Sequence, residues 1–133
     1  MPTYRGSCHC GRITFEFDGE VKQAMECNCS ICRRKGALWH ALGPGKLRIL
    51  SGENELGVYQ FNTMRARHYF CTTCGISPFS HPRLDPAMWV VNLRCVEGVD
   101  LRALPIGHFD GEHWEQAAEA LMAARAKQRP QPH

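Results

Sequence analysis

Seven of the eight cysteines lie in three short motifs, and this clustering constrains the fold more than any other feature of the sequence. The central motif is residues 27–32 (CNCSIC), and the flanking motifs are residues 8–10 (CHC) and 71–74 (CTTC). Thiols at this spacing can bind one tetrahedral zinc ion because the chain turns tightly around the metal. Gly11 and Gly75 directly follow the flanking motifs, and glycine permits the positive φ that such a turn needs. We therefore expect zinc-binding turns that connect distant parts of the chain.

Eight cysteines also permit a framework of four disulfides, which is typical of small secreted proteins. However, the first residues, MPTYRG, contain no hydrophobic signal core, and no apolar run is long enough to span a bilayer. The sequence therefore predicts a cytoplasmic protein without a membrane partner, and in that reducing compartment clustered thiols indicate metal. The net charge of +3 is too small to indicate nucleic acid as a partner.

The number of sulfurs in each motif limits how two zinc ions can be shared. The two flanking motifs together supply four sulfurs, which close a structural site, whereas the central motif supplies three. The spacing alone also permits a partition in which Cys27 or Cys29 joins the first pair. A histidine can complete a three-sulfur site. The candidates for that fourth ligand are His9, His40, His68 and His81.

The remaining pattern predicts a mainly β protein of one domain, residues 1–133. Ile13, Phe15 and Phe17 alternate with polar residues, which indicates a half-buried strand. We expect residues 21–26 to return beside it as a hairpin through the turn at residues 18–19. Further strands are predicted at 46–50, at 58–61 and 65–70 as a second hairpin, and at 88–96, with a loop at 76–86.

The C-terminal region changes to helical spacing. Trp114, Ala118, Leu121 and Met122 recur among polar residues, which predicts one amphipathic helix over about residues 112–127 with Asp110 as its N-cap. Residues 128–133 are predicted to be a frayed tail. Cys95, the eighth cysteine, is predicted to be a small core residue on the strand at 88–96.

The three cysteine motifs resemble those of the glutathione-dependent formaldehyde-activating family, a group of small zinc proteins with a β-tent type fold. The similar segments are residues 6–11 (GSCHCG), 27–36 (CNCSICRRKG) and 70–75 (FCTTCG). The resemblance covers about residues 3–95. It implies a carbon-sulfur lyase like S-(hydroxymethyl)glutathione synthase, with glutathione and formaldehyde as small-molecule partners. It also implies a structural zinc on Cys8, Cys10, Cys71 and Cys74 and a second, catalytic-type zinc on Cys27, Cys29 and Cys32.

Three thiolates leave a bound zinc ion with a net negative charge, which makes it a poor generator of hydroxide but a suitable partner for a fourth thiol. We therefore expect glutathione sulfur to attack the aldehyde, with Ser30, His40 or water donating a proton to the product oxygen. The basic residues Arg33, Arg34 and Lys35 can contact the carboxylates of glutathione, or can form a solvated turn that offsets thiolate charge. Trp39 is predicted either to wall the pocket or to belong to the core.

Two other functions share these motifs. A noncatalytic zinc module that binds protein or nucleic acid would use the same turns, because a fold does not determine a function. A methionine sulfoxide reductase, which has related zinc turns, would need a free nucleophilic cysteine, and only Cys95 is left for that role.

Overall fold

The structure, a computed structural model, describes residues 2–128. It is mainly β with one long C-terminal helix, as predicted. The strands are β1 Thr3–Ser7, β2 Thr14–Asp18, β3 Ala24–Cys27, β4 Trp39–Leu42, β5 Arg48–Ser51, β6 Leu56–Tyr59, β7 Arg67–Cys71, β8 Phe79–His81, β9 Trp89–Asn92 and β10 Ile106–Phe109. The α-helices are α1 Ser30–Lys35 and α2 Trp114–Gln128, and short 3₁₀ turns occupy Glu53–Glu55, Leu93–Cys95 and Gly111–His113.

The strands form two sheets. The smaller sheet has the order β1-β2-β5, and the larger has the order β10-β3-β4-β9-β8-β7-β6. All strand pairs are antiparallel except β10 with β3, which run parallel. The prediction of antiparallel strands therefore holds for every pair but this one.

The core lies between the two sheets. Ile13, Phe15 and Phe17 on or beside β2 have no exposed surface, as the alternating pattern predicted. The ring of Phe15 meets that of Phe79 on β8 edge to face at 5.4 Å, and Phe17 lies 5.3 Å from the ring of His40 on β4. Each fully buried side chain of this size contributes roughly 1.5–3 kcal/mol of transfer free energy.

The predicted hairpin between residues 13–18 and 21–26 is wrong. β2 pairs with β1 and β5, whereas β3 pairs with β4 and β10 in the other sheet. The turn at Asp18 therefore passes the chain from one sheet to the next instead of reversing it within one. The second predicted hairpin is confirmed, because β6 and β7 pair antiparallel from Leu56 with Cys71 to Tyr59 with His68.

Two predictions between residues 76 and 96 need correction. The segment 76–86 is not entirely a loop, because β8 joins β7 to β9 within it. The strand predicted to end at 96 ends at Asn92, whose side-chain oxygen accepts a hydrogen bond from the Arg94 amide at 3.2 Å and turns the chain into a 3₁₀ turn. Cys95 therefore lies in that turn and not on a strand, although it packs against the core.

The C-terminal helix begins at Trp114, two residues later than predicted. Asp110 precedes the 3₁₀ turn instead of α2 and its side chain makes no capping hydrogen bond, so the prediction that it caps α2 is wrong. Its carboxylate accepts from the side-chain amide of Asn28 at 3.0 Å and pairs with His113 at 2.9 Å. Ala118 is buried but Met122 is 59% exposed, so the predicted apolar face is only partly covered.

Of the predicted tail, residue 128 ends α2 and residues 129–133 lie outside the described part of the chain. No helix within residues 2–128 is both long and apolar enough to cross a bilayer.

Candidate metal centres

The first cysteine cluster contains the two flanking motifs. Its members, Cys8, Cys10, Cys71 and Cys74, have sulfurs that all lie within 4.8 Å of one another. A tetrahedral zinc ion with Zn–S bonds of about 2.3 Å would separate its sulfurs by about 3.8 Å. The Cys8–Cys10 and Cys10–Cys71 sulfur distances are 3.6 Å and 3.7 Å. The four residues therefore fit a zinc ion closely.

The backbone around this cluster turns its amides toward the sulfurs. The Ile13 amide donates to the sulfur of Cys8 at 3.4 Å, and the Cys74 amide donates to the sulfur of Cys71 at 3.5 Å. These turns use the predicted glycines, because Gly11 and Gly75 both have φ of 81°. The Cys74 amide is the largest of several contributions that lower the pKa of Cys71, which favours the thiolate that a metal binds.

The second cluster is formed by Cys27, Cys29 and Cys32, whose sulfurs also lie within 4.8 Å of one another. The CxCxxC motif bends at the start of α1, where Cys29 is the N-cap and its sulfur accepts from the Cys32 amide at 3.4 Å. The Trp39 indole N–H donates to the sulfur of Cys32 at 3.4 Å. Hydrogen bonds from the Cys27 and Cys32 thiols and from the amides of Cys32 and Ile31 lower the pKa of Cys29. The same mutual hydrogen bonds raise the pKa of Cys27 and of Cys32, so without a metal one thiolate is shared among three sulfurs. Three sulfurs this close fit a metal ion that takes three thiolates.

Backbone, not a side chain, covers one side of this second cluster. β10 runs parallel to β3, and its last residue, Phe109, pairs with Cys27. Gly111, two residues further along the chain, therefore lies against the cysteines. A Cβ added to Gly111 would lie 2.5 Å from the sulfur of Cys27 and 2.6 Å from Cβ of Cys29. Asn28 holds this segment in place, because its side-chain oxygen accepts from the Glu112 amide at 3.0 Å. Sequence reasoning missed Gly111, because nothing local predicted a parallel strand.

The proposed histidine ligands do not join the second cluster. Within the described residues, no histidine, aspartate or glutamate ligand atom lies within 4.8 Å of all three sulfurs. His9 is exposed beside the first cluster, whereas His40, His68 and His81 line a cavity.

That cavity has a volume of about 640 Å³ and opens on the second cluster, because Cys27, Cys29 and Cys32 form part of its wall. None of the four cysteines of the first cluster lines it. The volume lies within the range of roughly 300–1,000 Å³ that is usual for small-molecule sites. Trp39 is 6% exposed and also contributes to the wall, so it fills both of the roles considered for it.

The predicted proton donors lie at this cavity. Ser30, the first residue of α1, and His40 on β4 both line it. Burial lowers the pKa of His40, so its imidazole is neutral near pH 7.

The predicted basic residues do not lie together. Arg33 and Arg34 are exposed on α1 and do not line the cavity. Lys35 lies in a second pocket of about 400 Å³, where its Nζ is 3.2 Å from Nδ1 of His68 and 3.1 Å from the hydroxyl oxygen of Ser77.

Other cations reach the cavity from elements distant in sequence, namely Lys22, Arg83 and Arg125. Arg83 is the best held of them. Its guanidinium carbon lies 3.9 Å from the centre of the Trp114 ring, and its Nη2 is 3.3 Å from a Glu115 carboxylate oxygen. Sequence reasoning missed Arg83, because it lies in the segment that was predicted to be a loop.

Cys95 lines neither cavity. Burial, with a smaller effect from the Cys8 and Cys74 charges, raises the pKa of its thiol to about 11. A thiol with so high a pKa is a weak nucleophile, which does not favour the reductase alternative.

The chain is similar to known proteins both in sequence family and in structure. A family model described as "Glutathione-dependent formaldehyde-activating enzyme" matches residues 3–114. The crystal structure of a protein from Rhodobacter sphaeroides is 37% identical in sequence, with a TM-score of 0.70, and the match covers 77% of this chain and 98% of that one.

Proposed function

This chain belongs to the glutathione-dependent formaldehyde-activating family, and on that premise we propose that it is a zinc-dependent carbon-sulfur lyase similar to S-(hydroxymethyl)glutathione synthase. It would join glutathione, or another thiol, to formaldehyde or a related small aldehyde. Family membership supports glutathione-dependent formaldehyde activation in general. The observation that carries the more specific proposal is that the three-cysteine cluster opens on the large cavity while the four-cysteine cluster does not.

Zinc held by Cys27, Cys29 and Cys32 would supply a coordination position at which an incoming thiol loses its proton and becomes a nucleophile. The protein fixes the cluster from several directions. The start of α1 orients Cys29, the Trp39 indole donates to Cys32, and the backbone at Gly111 covers the side near Cys27. These contacts leave the cavity as the route by which a substrate thiol approaches.

Residues of the wall would position the aldehyde. Charge develops on the carbonyl oxygen as the sulfur–carbon bond forms, and a hydrogen-bond donor near that oxygen stabilises it. The Ser30 hydroxyl and the neutral His40 ring both line the cavity and are proposed donors. The apolar part of the wall, which includes Met25 and Trp39, would limit the access of water to the reacting atoms.

The charges of the cavity also suit glutathione, which carries two carboxylates and one ammonium group. Lys22, Arg83 and Arg125 can meet carboxylates, and Glu20 and Glu112 can meet the ammonium group. Of the three cations, Arg83 is held most firmly, by the Trp114 ring and Glu115, so it would lose less conformational entropy on binding. The exposed Arg33 and Arg34 remain proposed contacts at the outer side of α1.

A direct test uses exchange NMR, which measures the rate at which glutathione and formaldehyde interconvert with S-(hydroxymethyl)glutathione. We expect the wild-type protein with bound zinc to accelerate this exchange above the uncatalysed rate. We expect a Cys29→Ser protein to lose the acceleration while keeping its fold and one zinc ion. A wild-type protein that holds two zinc ions without accelerating the exchange would contradict the proposal and favour a noncatalytic zinc module.

A further inference from the structure

His68 separates two cavities. It lies on β7, is 8% exposed, and lines both the large cavity at the three-cysteine cluster and the smaller pocket. One face of its ring stacks on Phe61 with the ring centres 5.7 Å apart. His68 is therefore held in a fixed orientation with one edge toward each space.

Lys35 determines which ring nitrogen of His68 carries the proton. Its Nζ lies 3.2 Å from Nδ1 of His68, and Lys35 lines only the smaller pocket. An ammonium group can donate hydrogen bonds but cannot accept them, so Nδ1 must be the acceptor. A neutral ring with an accepting Nδ1 carries its proton on Nε2, the nitrogen directed away from Lys35. Burial, with a smaller contribution from the charge of Lys35, lowers the pKa of His68 to about 4, so the ring is neutral near pH 7.

The other histidines of the cavity lack this arrangement. Nδ1 of His81 lies 2.7 Å from the Met88 carbonyl oxygen, which can only accept, so Nδ1 of His81 is the donor of this hydrogen bond, and the bond places no N–H on Nε2. His40 stacks near Phe17 and has no hydrogen-bond partner among the described residues. Of the three, only His68 has a hydrogen bond that leaves an N–H directed toward the cavity.

We propose that His68 is a catalytic proton donor to the product oxygen and that Lys35 is the positioning residue that holds and resupplies it from the smaller pocket. This inference rests on the proposed function. In the addition step, the sulfur–carbon bond forms and the π electrons of the aldehyde move onto its oxygen. That oxygen takes the Nε2 proton of His68, and Nδ1 takes a proton from Lys35. The thiol proton leaves to water. Nε2 then takes a proton from water and Nδ1 returns its proton to Lys35, so protons balance and His68 regains its starting tautomer.

The first experiment compares exchange rates at saturating and limiting glutathione. We expect His68→Gln to lower kcat by about 100-fold or more, as loss of a general acid does, with little change in KM or zinc content. His108→Gln is the matched control, because the His108 side chain is 74% exposed on β10, outside the cavity. A His68→Gln protein with the kcat of the wild type would overturn this inference alone, whereas a wild-type protein without any acceleration would overturn it together with the proposed function.

A second measurement does not depend on activity. The ¹⁵N chemical shifts of the imidazole ring report which nitrogen is protonated, and we expect the Nε2–H form of His68 in the wild type. Lys35→Met should mix the two tautomers and lower kcat, and Lys35→Arg should restore both. A wild-type ring protonated on Nδ1 would overturn the inference even if His68→Gln fails to fold, and so would a Lys35→Met protein in which neither tautomer nor kcat changes.

Discussion

The two cysteine clusters have similar ligands but different surroundings. In the four-cysteine cluster, Cys8 and Cys71 are 2% and 0% exposed, whereas Cys10 lies at the surface, and neither cavity opens on the four sulfurs. The three-cysteine cluster is contacted by helix α1, by the Trp39 indole and by the backbone at Gly111. Its remaining side faces a cavity. The number of protein sulfurs therefore sets how many coordination positions a bound metal can offer to a substrate, while the packing around the cluster decides whether a substrate can reach the metal.

The largest expected difference between the clusters is in stability. Cys71→Ser removes a ligand from the cluster that joins β1 to β7, so the free energy of metal binding no longer stabilises the fold. We expect the free energy of unfolding to fall by several kcal/mol, which is comparable with the roughly 5–15 kcal/mol of a typical domain. Chemical denaturation followed by circular dichroism measures the change. A Cys71→Ser protein as stable as the wild type would show that the first cluster is not structural.

At the second cluster we expect a large loss of activity with little loss of stability. Cys29→Ser should remove one zinc ion and lower the exchange rate more than about 100-fold, beyond the 10–100-fold that changes outside the ligand shell cost. Its unfolding transition should remain cooperative, because the four-cysteine cluster is unchanged. Metal analysis and exchange NMR on the same sample check both expectations. Loss of both zinc ions together would break the separation of the two clusters.

Gly111→Ala tests the packing of the second cluster without changing a ligand. The added Cβ would lie 2.5 Å from the sulfur of Cys27, so the backbone or the cysteines must move. We expect the zinc affinity of this site to fall by about 10–100-fold, with the other site unaffected. Gly107→Ala on β10 is the matched control, because its Cβ would make ordinary contacts alone, with the flexible end of Met25 at 3.5 Å and the Ala24 carbonyl oxygen at 3.8 Å. Equal zinc affinities of the Gly111→Ala and Gly107→Ala proteins would show that the close approach of the Gly111 backbone does not contribute to metal binding.

The smallest expected effect concerns the anchors of the substrate. Arg83→Ala should raise KM for glutathione by about 10-fold, because the Arg83 side chain is 24% exposed and its loss falls at the low end of the roughly 1.5–3 kcal/mol of a hydrogen bond to a charged group. Arg34→Ala should raise it less than about threefold, because Arg34 is exposed outside the cavity wall and exposed ion pairs contribute little. A larger effect at Arg34 than at Arg83 would place the carboxylates of glutathione over α1 instead of at the cavity.

Local features of the sequence predicted the parts of the fold that depend on neighbouring residues. The alternation at Ile13, Phe15 and Phe17 identified β2, and the spacing of the cysteines with Gly11 and Gly75 identified the metal turns. The division of the seven cysteines into four and three came from the family resemblance, and the structure has the same division.

The remaining features depend on contacts between distant residues, which no local pattern records. The parallel pairing of β10 with β3 brings Gly111 to the cysteines from more than eighty positions along the chain. The contact of Lys35 with His68 likewise joins α1 to β7, although the adjacent basic residues suggested one common role. Asp110 was predicted as a helix cap from its position alone, and its contact with Asn28 shows why that failed.

Cadmium-113 NMR of the protein with cadmium in place of zinc reports how many sulfurs surround each metal ion, because the chemical shift depends strongly on the number of sulfur ligands. We expect two resonances, of which one moves toward the four-sulfur range when glutathione is added while the other stays fixed. We also expect that only the moving resonance is absent from Cys29→Ser. If the chemical shifts of both resonances stay unchanged when glutathione is added, the three-cysteine cluster does not accept a thiol from outside the protein.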